Sequence, residues 1–211
     1  MKELLTHFIL KTDFPCIMAK SLLKTGNIET YSVDEPFHPG TQRFILKKMY
    51  RFIEEFRASP GKLCSFIVGF NLGEISFGEF ERVFWRFLSE LYLIDKEVYA
   101  HDPRVSSNPY EGDFSFSLKE ESFFILGLHP ESPRISRRFS IPSIVFNPHE
   151  QFENLRRKGI FKKIRNLIRT KDELLQGEKN PMLSDFGGRS EVFQYLGVVY
   201  PDGAQVPLKV R

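Results

Sequence analysis

Ile45, Met49, Phe52 and Phe56 recur at steps of four, three and four. That spacing puts them on one face and predicts an amphipathic helix over 41–57, ended by Ser59-Pro60-Gly61. The apolar run 63–70 that follows reads as a strand. Ser76-x-x-Glu79 has the form of a capping box. It opens a second helix, to about Lys96, with Phe80, Phe84, Phe87, Leu88 and Leu91 on one side. Upstream, Phe14-Pro15-Cys16 precedes the good helix formers IMAKSLLK, which end at Gly26. Cys16 therefore falls at or near a helix N-terminus.

The second half changes period. A Ser/Asn/Pro/Gly-rich stretch, 101–113, reads as a loop. Segments 114–118 and 122–128 then read as paired strands around Lys119-Glu120-Glu121, with a third strand at 143–146. Asn147-Pro148 suits a helix start, with Asn147 as the cap and proline at the first helical position. Gly159 interrupts that helix. It resumes over 160–175 with Phe161, Ile164 and Ile168 on a common stripe, and Asn180-Pro181 breaks it. After a Gly187-Gly188 turn, 192–200 reads as a last apolar strand or edge. The pattern predicts an α+β chain, one domain over 1–211, with a mostly antiparallel sheet packed by amphipathic helices.

Composition adds constraints. A 211-residue chain with 41% hydrophobic residues is long enough for a real core. Its 22 Phe against 7 Tyr and 1 Trp suggest a core of rings with few polar handles. The net charge of +3 is too small to imply a nucleic-acid partner, yet the charge is unevenly spread. Residues 134–171 hold eleven Arg or Lys against two Glu, so a basic face is expected. Aromatic interleaving for base stacking is poor there, which disfavours nucleic acid. Cys16 and Cys64 are the two cysteines, without CxxC or zinc-finger spacing. The N-terminus lacks a signal-like apolar region and no run reaches transmembrane length, so a cytoplasmic protein with reduced thiols, away from membranes, is expected.

No familiar catalytic signature is present, but polar residues cluster at the ends of apolar strands, where sites are often built. His129-Pro130-Glu131-Ser132-Pro133-Arg134 follows SFFILGL and is either a site element or a proline-capped turn. Arg137 and Arg138 could grip a carboxylate or phosphate, or form a solvated basic turn. His149, in the first turn of a helix beside Glu150, could be a metal ligand or base, or a surface histidine. A thiol at a helix N-terminus, as at Cys16, is shifted toward thiolate and could be a nucleophile, a redox sensor or a haem ligand. The bland alternative is a small buried hydrophobe, which also describes Cys64.

Five blocks together carry a family resemblance: FPCIMA at 14–19, GLHPESPRISRRF at 127–139, FNPHEQFENLR at 146–156, IRTKDELLQGEKNPMLSDFG at 168–187 and SEVFQYLG at 190–197. In these blocks the chain resembles the YqcI/YcgG family, some of whose members are haem-dependent N-oxygenases acting on a guanidine or amine nitrogen of arginine-like amino acids. The resemblance implies a haem b, O2 as co-substrate, an electron donor and an amino-acid-like substrate, and leaves a homodimer open. Cys16 in the FPC block is the favoured iron ligand, with His129 and His149 as competitors. Chemistry, rather than the resemblance, suggests Arg134 and Arg138 for propionates or a substrate carboxylate, and Glu150 or Asp185 for a guanidinium. Two alternatives stand beside this: a haem sensor or carrier without oxygenase chemistry, and a module binding small anions or nucleic acid through its basic face.

Overall fold

The computed structural model describes residues 1–210. Its centre is a five-stranded sheet in the order β1-β2-β5-β4-β3, made of β1 (Ile28–Val33), β2 (Ser65–Phe70), β3 (Phe116–Leu118), β4 (Glu121–Leu128) and β5 (Ser143–Pro148). β1 pairs parallel with β2, and the other three pairings are antiparallel. The sheet is thus mixed and the chain is α+β.

One face is sealed by α3 (Pro39–Arg57) and α4 (Phe77–Asp95). The predicted capping box is formed: Ser76 Oγ accepts from Glu79 N at 3.3 Å, and Glu79 Oε2 accepts from Ser76 N at 2.9 Å. Phe66, Phe70, Phe80, Phe87, Phe123 and Phe146 meet here, all essentially inaccessible. Their ring centroids lie 5–6.5 Å apart, mostly edge to face, as ring quadrupoles favour. The C-terminal segment closes the same side. Leu196 packs so near Gly127 that a Cβ there would lie 2.6 Å from the leucine's Cδ2.

The other face is covered by α1 (Lys2–Leu10), α2 (Ile17–Thr25), α5 (His149–Arg157) and α6 (Phe161–Gln176). Leu5, Phe8 and Ile9 meet Ile67, Leu128, Phe139 and Val145 in a second, smaller cluster. α6 contributes no fully buried residue. Left-handed glycines, Gly159 and Gly177, flank it, and polar links hold it: Asp172 to Arg134 and Ser136, and Gln176 to Ile135 N and Pro133 O.

Two local expectations differ from the structure. Asn147 does not cap α5. Its Oδ1 accepts from Ser65 Oγ at 2.7 Å and its Nδ2 donates to Phe124 O at 3.2 Å, because β5 continues through Pro148 and spends that side chain across strands. The expected strand over 192–200 is instead a short 3-10 helix, Glu191–Gln194, and an irregular stretch. Its apolar residues fall in pairs, Val192-Phe193 and Tyr195-Leu196, rather than alternating. The β3–β4 turn places Lys119 and Glu120 at φ 49° and 56°, a left-handed pair without glycine.

Candidate functional site

Alternation along the strands decides what the second face offers. Ser65 and Ile67 of β2, Phe124, Leu126 and Leu128 of β4, and Val145 and Asn147 of β5 all point away from the aromatic core. They floor a cavity of about 300 Å³ roofed by α1, α2 and α6. A second lobe of about 210 Å³ shares Met18, Phe124, Phe152, Ile168, Arg169 and Leu183 with it, and reaches His149, Asp185 and Glu191. The larger lobe sits at the lower end of the roughly 300–1,000 Å³ typical of ligand pockets.

Cys16 lines the larger lobe as the N-cap of α2, with Sγ accepting from Ala19 N at 3.4 Å. Desolvation pushes its thiol above the ordinary value, against the lowering pull of the Ala19 and Met18 amides. The helix terminus alone suggested a shift toward thiolate. Burial outweighs it, so the thiol of the unliganded chain is protonated at neutral pH. Cys64 lies in the core cluster, its thiol pushed up by burial to about 12.

Arg134 and Arg137 line the larger lobe. Arg134 is 4% exposed and donates through Nη2 to Asp172, whose other oxygen accepts from Ser136 Oγ at 2.6 Å. Arg137 donates to Tyr195 O at 2.6 Å, and burial pulls its guanidinium down to about 10, still charged at neutral pH. Arg138 is exposed and turns back to Ser132 O at 2.9 Å, outside the cavity.

The two histidines part company. His129 follows Leu128, a floor residue, so it points to the opposite face. There it stacks on Phe80 at 5.2 Å, donates from Nε2 to Ile75 O at 3.0 Å, and accepts Glu131 N on Nδ1 at 3.1 Å. Burial lowers its pKa, and the Glu131 amide fixes the neutral tautomer with the proton on Nε2. His149 lines the second lobe, with Nε2 3.4 Å from Glu191 Oε2 and its ring 4.5 Å from that of Phe186. Asp185 lines the same lobe. Burial would raise its carboxyl, but Arg165 and Arg169 outweigh that and hold it below the ordinary carboxylate range. Glu150 lies elsewhere, in an open charged cleft, bonded to Arg104 and Arg157.

The structure thus brings Cys16, Arg134, His149 and Asp185 to one two-lobed cavity and leaves His129, Arg138 and Glu150 outside it. Gln151, Asp172 and Asn180 also line the larger lobe and were not anticipated. Asp172 had a signal: it extends the stripe Phe161, Ile164, Ile168 by one more step of four, a carboxylate on an inward-facing row. Among the described residues, no group of three or more His, Cys, Asp or Glu is placed to hold a metal ion. No helix is long and apolar enough to cross a membrane. Every arginine of the basic segment 134–171 has a protein partner.

A curated protein of Bacillus subtilis (strain 168), named "Uncharacterized protein YcgG", is 27% identical over 184 residues, covering 83% of this chain and 72% of its own length. No solved structure matches. The family model described as "YqcI/YcgG family" matches residues 5–209, which hold the whole sheet and every helix except the first residues of α1. The chain therefore belongs to the YqcI/YcgG family.

Proposed function

We propose that the chain is a haem-dependent N-oxygenase acting on a guanidine or amine nitrogen of an arginine-like amino acid. The observation that carries this reading is the Cys16 thiol on the wall of a largely apolar cavity that Arg134 and Arg137 also line. The donor set suits the group: a sulfur for iron, apolar walls for a macrocycle, arginines for acidic substituents. A macrocycle of porphyrin size would need both lobes. When bound, such a haem supplies O2 activation, and thiolate ligation favours O–O cleavage.

The chain's own residues do the rest. Cys16 would hold the iron through its sulfur, and the Ala19 and Met18 amides would favour the thiolate form there. Ile67, Leu126, Leu128 and Val145 exclude water from the reacting side. Asp185 is the carboxylate of the second lobe that can meet a cationic substrate nitrogen, in competition with Arg165 and Arg169. His149, on the second lobe, would be the alternative residue to hold the iron.

An absorption spectrum of the full chain, expressed with haem supply and treated with CO, tests this. A Soret band with the red-shifted CO complex of a thiolate, lost in Cys16→Ser, is expected. Loss in His149→Ala instead would move the ligand to His149, and a chain that refuses added haemin would end the reading. One observation favours the sensor or carrier alternative: both oxygens of Asp172 and the shared oxygen of Asp185 are already engaged. Haem binding without hydroxylated product from arginine, given reductant or peroxide, would select it.

A further inference from the structure

The polar groups on the wall of the larger lobe are lopsided in a way that describes its occupant. Arg134, 4% exposed, uses Nη2 on Asp172 and lies 3.5 Å from Glu178 O. Its Nε is buried with no partner, and its Nη1 has no hydrogen bond among the described residues. Gln151, 1% exposed, accepts Cys64 N on Oε1 at 3.1 Å, which fixes its amide and leaves Nε2 a donor without a partner. Asn180, two residues beyond the Glu178 carbonyl that Arg134 approaches, accepts Met182 N on Oδ1 at 3.0 Å and likewise leaves its NH2 over.

The carboxylate and amide oxygens of this wall are all engaged. Both Asp172 oxygens are bonded, and Asn147 Oδ1 takes the Ser65 hydroxyl. In charge, Arg134, Arg137 and Arg169 line the lobe with Asp172, and because Arg169 is paired with Asp185, Arg134 and Arg137 are left to Asp172. A buried guanidinium with two idle nitrogens is costly unless something accepts from it. Water could satisfy a single donor, but an excess of positive charge in an apolar chamber calls for an anion.

We propose that Arg134, with Asn180 beside it, is a carboxylate-binding subsite, so that the cavity's occupant is an amphipathic anion with its apolar body on the sheet face and its carboxylate on Arg134. This rests on the haem reading to the extent that the carboxylate belongs either to a porphyrin propionate or to the α-carboxylate of the substrate. Asp172 remains the guanidinium's partner at Nη2, and the ligand carboxylate accepts from Nε or from Nη1, which lie on different edges of the guanidinium.

The test measures affinity rather than turnover. Haemin and haemin dimethyl ester, which lacks free carboxylates, are titrated into the wild-type chain and Arg134→Met, with circular dichroism confirming the fold. A propionate on Arg134 predicts about tenfold or more weaker binding of the ester to wild type, and no difference between the two in Arg134→Met. If haemin and ester bind alike, arginine and its decarboxylated analogue agmatine are compared on the haem-loaded chain by their Soret shift. A preference for arginine of about tenfold, lost in Arg134→Met, assigns the subsite to the substrate. Equal binding within both pairs overturns the subsite and leaves the haem reading intact. If wild type takes up no haemin, the haem reading falls. Decanoate and decanol are then compared by thermal shift: stabilisation by the acid alone upholds the subsite, and equal or absent shifts overturn it. The wild-type comparisons need no variant, so they stand even if Arg134→Met fails to fold.

Discussion

The two faces of the sheet are built from the same strands and do different work. On the α3/α4 face, phenylalanines from four strands interlock with those of the helices. On the opposite face the strands present Ser65, Ile67, Val145 and Asn147, smaller and partly polar, beneath helices that leave a void. The difference shows where stability and binding reside. A close-packed aromatic layer can hold the fold while its reverse side keeps an unfilled, charged chamber that would cost stability if it were the only core.

Neighbouring residues on β2 give the sharpest way to break this comparison. Phe66→Ala, which removes a ring touching Tyr31, Phe52 and Phe146, is expected to cost about 3–5 kcal/mol. Ile67→Ala, one residue on but bordering the cavity, should cost only about 2 kcal/mol and should alter haemin affinity. Equal losses in urea unfolding would erase the distinction between the faces.

A second test uses Asp95, at the end of α4 on the packed side, whose carboxylate accepts Lys119 N at 3.0–3.1 Å. Burial pushes its pKa from 3.8 up to about 6. Folded and unfolded chains are both protonated there below about pH 3.8. As pH rises toward 6 the unfolded chain releases the proton first, so this contribution to stability is lost across that window and stays lost above it. Relative to wild type, Asp95→Asn should gain up to roughly 3 kcal/mol between those pH values, without changing ligand affinity. A pH-independent difference would count against it.

On the cavity side, Ala19→Leu should fill part of the void, raising stability by about 0.5–2 kcal/mol while weakening haemin binding. Stabilisation with undiminished binding would mean that the void is not the binding chamber. The smallest effect is expected away from both faces. Glu120→Gly relieves a left-handed φ of 56° and should stabilise by about 1 kcal/mol, seen as a small rise in melting temperature with binding untouched.

Much of the packed face was legible in the sequence. The steps of three and four in 41–57 and 76–96, and the capping box, correspond to α3 and α4 almost residue for residue, since a helix buried on one side must repeat its apolar positions. β1 was not, because an edge strand reading IETYSV is only half buried and carries no clean alternation. α1 was not read as a helix either, although Leu5, Phe8 and Ile9 share its inner face. Among the site residues, Cys16 could be placed at a helix start from FPC followed by helix formers. His129 could not be assigned a side, since one position along a strand reverses the face, and only the register of Leu128 over the cavity shows it. The free amides of Gln151 and Asn180 depend on which backbone groups fold against their oxygens, and no local pattern encodes that.

α6 carries a kinetic consequence. A helix with no fully buried side chain, hinged at two glycines and held by hydrogen bonds and ion pairs, lies at the low end of local unfolding free energy. Its amides should exchange with solvent deuterium well before those of β2 and β5. The residence time of anything beneath it is then set by how often one turn of α6 opens, and salt that weakens the Asp172 and Asp185 pairs should shorten that time while leaving global unfolding nearly unchanged.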